Sequence, residues 1–216
     1  MPNPVPASRL LLTLTLCAGL LAACDAKDSS ALVTEAKAKL AAGDYQTAMI
    51  QLKNAVAGDE KNADARLELG KLYLAQQDLA SAEKEFRRAR EAGISASTVN
   101  PLIARTLLSQ REYQRVLDEL PAPAENAPES ATLQALRATA TLGLGRKDEA
   151  REELQRALKK APDNAEVHLA LAQLALADGD REKAMRDLDQ ALLIDPRHRD
   201  SLLLKGDLLR SADKPV

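Results

Sequence analysis

One thiol and two imidazoles are the side chains of this sequence with the most to offer chemically, and each stands in a different setting. Cys24 follows Leu21-Ala22-Ala23. Small residues there leave a scissile bond open to a peptidase, and the thiol behind it is a ready acyl acceptor. His168 falls in a slot that usually holds a large aromatic, so packing is its expected role. His198 stands after Pro196, beside Asp195 and Asp200. A metal there would need more ligands, and a solvated turn is expected. Gly143-Leu144-Gly145-Arg146-Lys147-Asp148 lacks the third glycine of a dinucleotide loop and follows no strand, so it reads as a turn between helices. No phosphate-binding loop, H-E-x-x-H or G-x-S-x-G occurs. The sequence predicts no catalytic site, no cofactor and no metal, and an enzyme only if a further domain supplies the chemistry.

The thiol belongs to a patterned segment. A weakly basic lead, 1–9, is followed by Leu10 to Ala22, apolar but for Thr13, Thr15 and Gly19. This run is shorter than the roughly 20 residues that span a bilayer and suits the apolar region of a secretory signal. Together with Leu21-Ala22-Ala23-Cys24 it resembles the bacterial lipobox. The resemblance implies a signal peptide over 1–23, a diacylglyceryl group on Cys24 and a tether over 24–28. The alternative is an ordinary signal peptide with an incidental cysteine. Asp25 after a lipidated cysteine disfavours transfer to the outer membrane in well-studied Gram-negative systems. The implied location is therefore the periplasmic face of the inner membrane. Cys17, the only other cysteine, would leave with the signal, so no structural disulfide is expected.

Behind this segment the chain repeats. It has 216 residues, 45% hydrophobic, with no Trp and one Phe. Ala and Leu dominate, which suits close-packed helices. Removing 1–23 takes away Arg9 alone and leaves 29 basic against 32 acidic side chains. That balance argues against nucleic acid as a partner. From 63 to 96 runs Arg66-x-x-Leu69-Gly70-x-x-Tyr73, then Ala82-x-x-x-Phe86 and Ala89, and the same frame returns at one fixed interval. The small slot of the second helix is Ala48, Ala82, Val116, Ala150 and Ala184. The close-approach slot of the first helix is Ala36, Gly70, Ala104, Ala138, Ala172 and Gly206. The plug between them is Leu52, Phe86, Leu120, Leu154 and Leu188. This is the spacing of a tetratricopeptide repeat with the first aromatic replaced. It predicts an all-α, right-handed α-solenoid of five helix–turn–helix repeats (29–62, 63–96, 97–130, 131–164, 165–198) and the start of a sixth at 199–216.

Two places depart from the regular frame. In the third repeat Asn100-Pro101 reads as an N-cap followed by Pro at the first helical position, so that helix should start late. Its partner helix, from about Glu112, should stop before Pro121. Residues 121–128 then form an extended linker, either a tolerated seam or a notch that admits a partner. In the sixth repeat Gly206 prepares a close approach for a second helix that does not follow, so a longer array is expected; the alternative is a short protein whose last helix caps itself or packs on a partner. Charge pairs such as Glu83–Arg87, Glu152–Arg156 and Glu182–Arg186 read as a solvated convex side.

First helices line the groove of such a solenoid. One groove position reads Leu40, Leu74, Leu108, Leu142 and Leu176, which could hold apolar side chains of a partner or pack the repeats together. Its neighbour reads Lys37, Lys71, Arg105, Thr139 and Gln173. The three basic residues are either a short row that meets an acidic stretch or separate solvated charges. The Asn needed for a carboxylate clamp is absent from both rows.

At finer grain the lipobox, Gly43–Ala55, Ala65–Tyr73, Ala82–Ala89 and Tyr113–Leu120 resemble the N-terminal part of the tetratricopeptide-repeat lipoproteins found with exosortase (PEP-CTERM) sorting systems. The resemblance implies a non-enzymatic, membrane-anchored periplasmic scaffold near exopolysaccharide production and surface-protein sorting. It would bind protein partners, with no nucleic acid and no small-molecule substrate. A lipoprotein helper in outer-membrane protein or cell-wall assembly is the alternative.

Overall fold

The computed structural model describes residues 28–120 and 130–212. Cys24, Asp25 and the 121–128 linker lie outside them. The chain divides between Glu60 and Lys61 into two compact units.

The first unit contains α1 (Ser29–Ala41) and α2 (Tyr45–Gly58). Asp44 caps α2 by accepting from the Thr47 amide at 3.1 Å, which satisfies one of the orphan donors of the first turn. Ala36 of α1 is fully buried, as are Ala48, Leu52 and Ala55 of α2. The pair is tied at its edges by Ser29 Oγ donating to the Ala55 carbonyl at 2.9 Å and by Gln51 Nε2 donating to Glu35 at 2.9 Å.

The second unit holds four helix pairs, α3 (Ala63–Ala75) with α4 (Leu79–Glu91), α5 (Ala96–Ser109) with α6 (Tyr113–Glu119), α7 (Ser130–Gly143) with α8 (Lys147–Lys160), and α9 (Ala165–Ala177) with α10 (Arg181–Ile194), followed by α11 (Arg199–Ala212). First helices pack on first helices, α3 on α5, α5 on α7 and α7 on α9, while each second helix packs on the next first helix. Among the described residues there is no strand. The result is an all-α solenoid fold. Every small-slot and plug residue of the frame is buried, and so are the close-approach alanines. The clearest contact is Phe86 over Gly70, where a Cβ on the glycine would lie 2.7 Å from the ring. The turns repeat too. Gly43, Gln77, Arg111, Gly145 and Gly179, evenly spaced along the chain, all have positive φ, between 60° and 82°. Each directly precedes the cap residue of a second helix.

The third repeat corrects the sequence reading. Helix α5 starts at Ala96, not after Asn100, and Pro101 lies inside it. Proline removes one intrahelical hydrogen bond, but the carbonyl that loses it belongs to Ser97, exposed at the very start of the helix. Asn100 does not cap; its side chain accepts from Arg90 of α4 at 3.1 Å. Helix α6 does stop early, with Leu120 in extended backbone, as the residue before a proline prefers. Arg137 of α7 donates to the Leu117 carbonyl at 3.2 Å and to that of Leu120, so the end of α6 is satisfied from the next repeat. Val99, Ile103, Leu107, Val116 and Leu120 sit in a core cluster that runs from α3 to α7.

The slot left without its aromatic is polar in all four helix pairs of this unit, Arg66, Asn100, Gln134 and His168, and becomes Leu202 in α11. Arg66 and Glu85, 4% and 7% exposed, form a buried ion pair of 2.7 Å between α3 and α4. The same offset along the chain places Asp187 beside His168. Nδ1 of His168 lies 3.9 Å from the carboxylate, an ion-pair distance, and its Nε2 is 2.8 Å from the Pro162 carbonyl. Asp187 raises the imidazole pKa above its ordinary value, against burial and with help from the Pro162 carbonyl. His168 thus ties two helices and a turn by polar contacts as well as packing.

The pair Glu83–Arg87 is present at 2.9 Å but is more than a solvated decoration. Arg115 of α6 reaches Glu83 at 2.6 Å and Glu119 at 2.7 Å, and Arg87 also pairs with Glu119. The four close a ring between α4 and α6. Glu152–Arg156 and Glu182–Arg186 remain open surface pairs at 3.8 and 4.0 Å.

The same repeat slot should answer oppositely to one substitution. Gly70→Ala drives a methyl into Phe86 and is expected to cost about 1–2 kcal/mol. Gly206→Ala, where nothing lies within 4 Å of the new methyl, is expected to gain about 0.5–1 kcal/mol from backbone entropy. Denaturant unfolding of the two variants measures both. Glu85→Ala, which strips the carboxylate from buried Arg66, should cost about 3 kcal/mol in the same assay, and Arg66→Leu combined with Glu85→Leu should restore most of it.

Candidate functional site

The face made by the first helices of the second unit carries the groove positions. Thr139 Oγ1 on α7 donates to Gln173 Oε1 on α9 at 3.0 Å, so that row runs in register between neighbouring repeats. Arg105, the next member back on α5, does not continue it. Its guanidinium passes α7 and donates to the Glu166 carboxylate in the first turn of α9. Glu166 is 5% exposed. On its other side it faces His198 Nε2 at 3.5 Å, while Nδ1 of His198 shares a hydrogen bond of 2.8 Å with Ser201 Oγ at the start of α11. The His198 side chain is only 10% exposed and is not the solvated turn expected from Asp195 and Asp200.

Burial pushes the Glu166 carboxyl up, but the His198 hydrogen bond and the Arg105 charge outweigh it and hold the group below the usual carboxylate range. A carboxylate buried between two nitrogen bases is held ionised because both partners favour the charged form.

Two hollows flank this bridge. One, of about 330 Å³, is lined by Leu74, Gln77 and Arg105 together with Arg197, Arg199 and Leu203. The other, of about 300 Å³, is lined by Arg105, Leu108, Tyr113, Thr139, Glu166 and Gln173. Leu74 and Leu203, far apart in the chain, share one hollow, so the face is concave. Each hollow mixes apolar floor with amide, hydroxyl and guanidinium groups, which suits a peptide chain: main-chain groups find donors and acceptors, and side chains find leucines.

The predicted groove residues divide. Leu74, Arg105, Leu108 and Gln173 line the hollows. Leu142 and Leu176 are half-buried against the cores of their own repeats, as are Leu74 and Leu108 on their inner sides, so the leucine ladder is largely repeat packing. Lys71 points to solvent and pairs with Glu68 at 3.0 Å. Lys37, exposed, and Leu40, half-buried, belong to α1 in the first unit. Arg105 is engaged by Glu166 and is not a solvated member of a basic row. Glu166, His198, Ser109 and Tyr113 were not expected here. The available signal was that Glu166 is the one acidic residue of a largely apolar helix, but an acid in a first turn also reads as an ordinary partner of the helix dipole. Among the described residues no group of three or more ligating side chains could hold a metal, and no helix is long and apolar enough to cross a membrane.

A group with a depressed folded-state pKa gives stability that is present above its unfolded value, about 4.5, and is lost as pH falls through the folded value. Thermal unfolding of the wild type should therefore lose stability below about pH 4.5 more steeply than Glu166→Gln, and the two curves should run parallel at neutral pH.

Two family models, both described as tetratricopeptide repeat, match the chain, one at residues 39–93 and the other at 102–165 and 135–197. No curated protein matches it. Among solved structures it is similar to YrrB, a tetratricopeptide protein described with an unusual peptide-binding site (20% identity, 83% of this chain and 92% of that one, TM-score 0.57). It is also similar to TTC0263 of Thermus thermophilus (18%, 84% and 99%, TM-score 0.61) and to MamA of Desulfovibrio magneticus (17%, 79% and 97%, TM-score 0.60). With the repeat frame, the buried slots and these matches in agreement, the chain belongs to the tetratricopeptide repeat family.

Proposed function

We propose that this chain is a non-enzymatic, lipid-anchored scaffold facing the periplasm. It brings together proteins of an exopolysaccharide and PEP-CTERM sorting apparatus at the inner membrane. Tetratricopeptide repeats are protein-interaction scaffolds, and the observation that carries the binding role here is the concave face with its two hollows around Arg105. Their lining supplies main-chain partners and apolar seats together, as an extended protein segment requires. The anchor rests on sequence, the apolar run ending Leu21-Ala22-Ala23-Cys24. A lipid there adds roughly 0.8 kcal/mol of membrane affinity per buried methylene, and it would raise the effective concentration of the groove for partners at the same surface. Asp25 favours retention at the inner membrane.

Labelled-palmitate incorporation into wild type and Cys24→Ala, with membranes separated by density, tests this. Label that requires Cys24 and follows the inner membrane is the expected result. Label in the outer membrane would move the role to assembly of outer-membrane proteins or cell wall. A free, unlabelled periplasmic protein would remove the anchor and with it the sorting assignment. A photocrosslinker at Leu108 should then capture a protein partner, and capture should be lost on adding Arg105→Glu.

A further inference from the structure

We infer that the Arg105–Glu166–His198 bridge is a clasp that fixes the curvature of the second unit and so the width of its groove. This goes beyond the scaffold reading and does not rest on it.

A solenoid is nearly one-dimensional: each repeat contacts its neighbours, and small changes in the angle between repeats accumulate along the stack. Contacts between adjacent helices alone leave curvature soft. The bridge is not of that kind. Arg105 lies on the first helix of one repeat and Glu166 on the first helix two repeats later, 61 residues away. Glu166 then faces His198 ahead of α11, and His198 is held by Ser201, itself fully buried. One carboxylate thus spans from α5 to α11. Its burial gives the contact stiffness, since a charge withdrawn from water must keep its partners or incur a large desolvation cost. Arg105 and Asp200 line both hollows, so the clasp also stands between them as a crosspiece. A bound segment must pass it or stop at it.

The groups around Glu166 make it the natural fulcrum. Thr139 and Gln173 of the adjoining row satisfy each other, and Leu136 and Leu169 supply apolar lining with no charge. Of the charged side chains around the two hollows, Glu166 pairs with Arg105 and faces His198, while Asp195, Arg197, Arg199 and Asp200 line the larger hollow beside them.

The test measures the groove directly. In the full chain with Cys17 and Cys24 replaced by Ala, spin labels are placed at Gln77→Cys and Leu203→Cys, both exposed and on opposite walls of the larger hollow. Double electron–electron resonance reads their separation. The expected result is one narrow distribution in the parent, displaced to longer distance and broadened in both Glu166→Gln and Arg105→Gln. Asp178→Asn, which breaks the surface pairs with Lys147 and Arg151, should leave it unchanged. Helix content by circular dichroism accompanies each variant. If Glu166→Gln loses helix, Arg105→Gln decides alone, because Arg105 is about one-third exposed and tolerates a polar replacement. Unchanged distributions in folded variants would overturn the clasp, as would an equal displacement in Asp178→Asn.

Discussion

Everything in this molecule rests on how closely the two helices of a repeat can approach. Phe86 lies where Gly70 has no side chain, and in the other repeats buried alanines at 36, 104, 138 and 172 accompany leucine plugs smaller than Phe86. Close approach lets a single plug residue close the gap, and the plugs at 52, 86, 120, 154 and 188 are all buried. With one Phe and no Trp in the chain, the core cannot rely on large aromatic area. It relies on short side chains packed at high density, where dispersion contacts are many and voids few.

The missing aromatic is replaced by charge and hydrogen bonding. Arg66 with Glu85, and His168 with Asp187, occupy equivalent positions, and the first of the two pairs is nearly dry. Such pairs add little net stability over an apolar filling but are costly to break. They fix which face of the second helix meets the first, because a shift of one residue would separate the charges. Regularity from apolar slots and specificity from polar ones are thus divided between different positions of the same frame.

How much of this was legible in the sequence follows from distance along the chain. The evenly spaced slots are local and periodic, and they name their own helix pairs. The turn at Gly145 and the early end of α6 before Pro121 follow from single residues with strong backbone preferences. What escaped reading was pairing at long range. Asn100 looks like a cap until Arg90 is seen to claim its side chain, and Pro101 looks like a helix start until the helix is found to begin at Ala96. His198 reads as a surface turn because nothing near it in sequence reveals Glu166, at the other end of the same repeat, or the curvature that brings Arg105 to the same carboxylate. Curvature is a sum of small inter-repeat angles, and no one residue encodes it.

The ring of Glu83, Arg87, Arg115 and Glu119 has a property that isolated pairs lack. Each acid touches both bases and each base both acids, so the arrangement is a closed circuit. Cutting any one link leaves the other three as a connected chain, with every charge still partnered. The seam between α4 and α6 is therefore fault-tolerant. That redundancy ties α4 to a helix only seven residues long, which has few turns with which to pack and gains most from a spare connection.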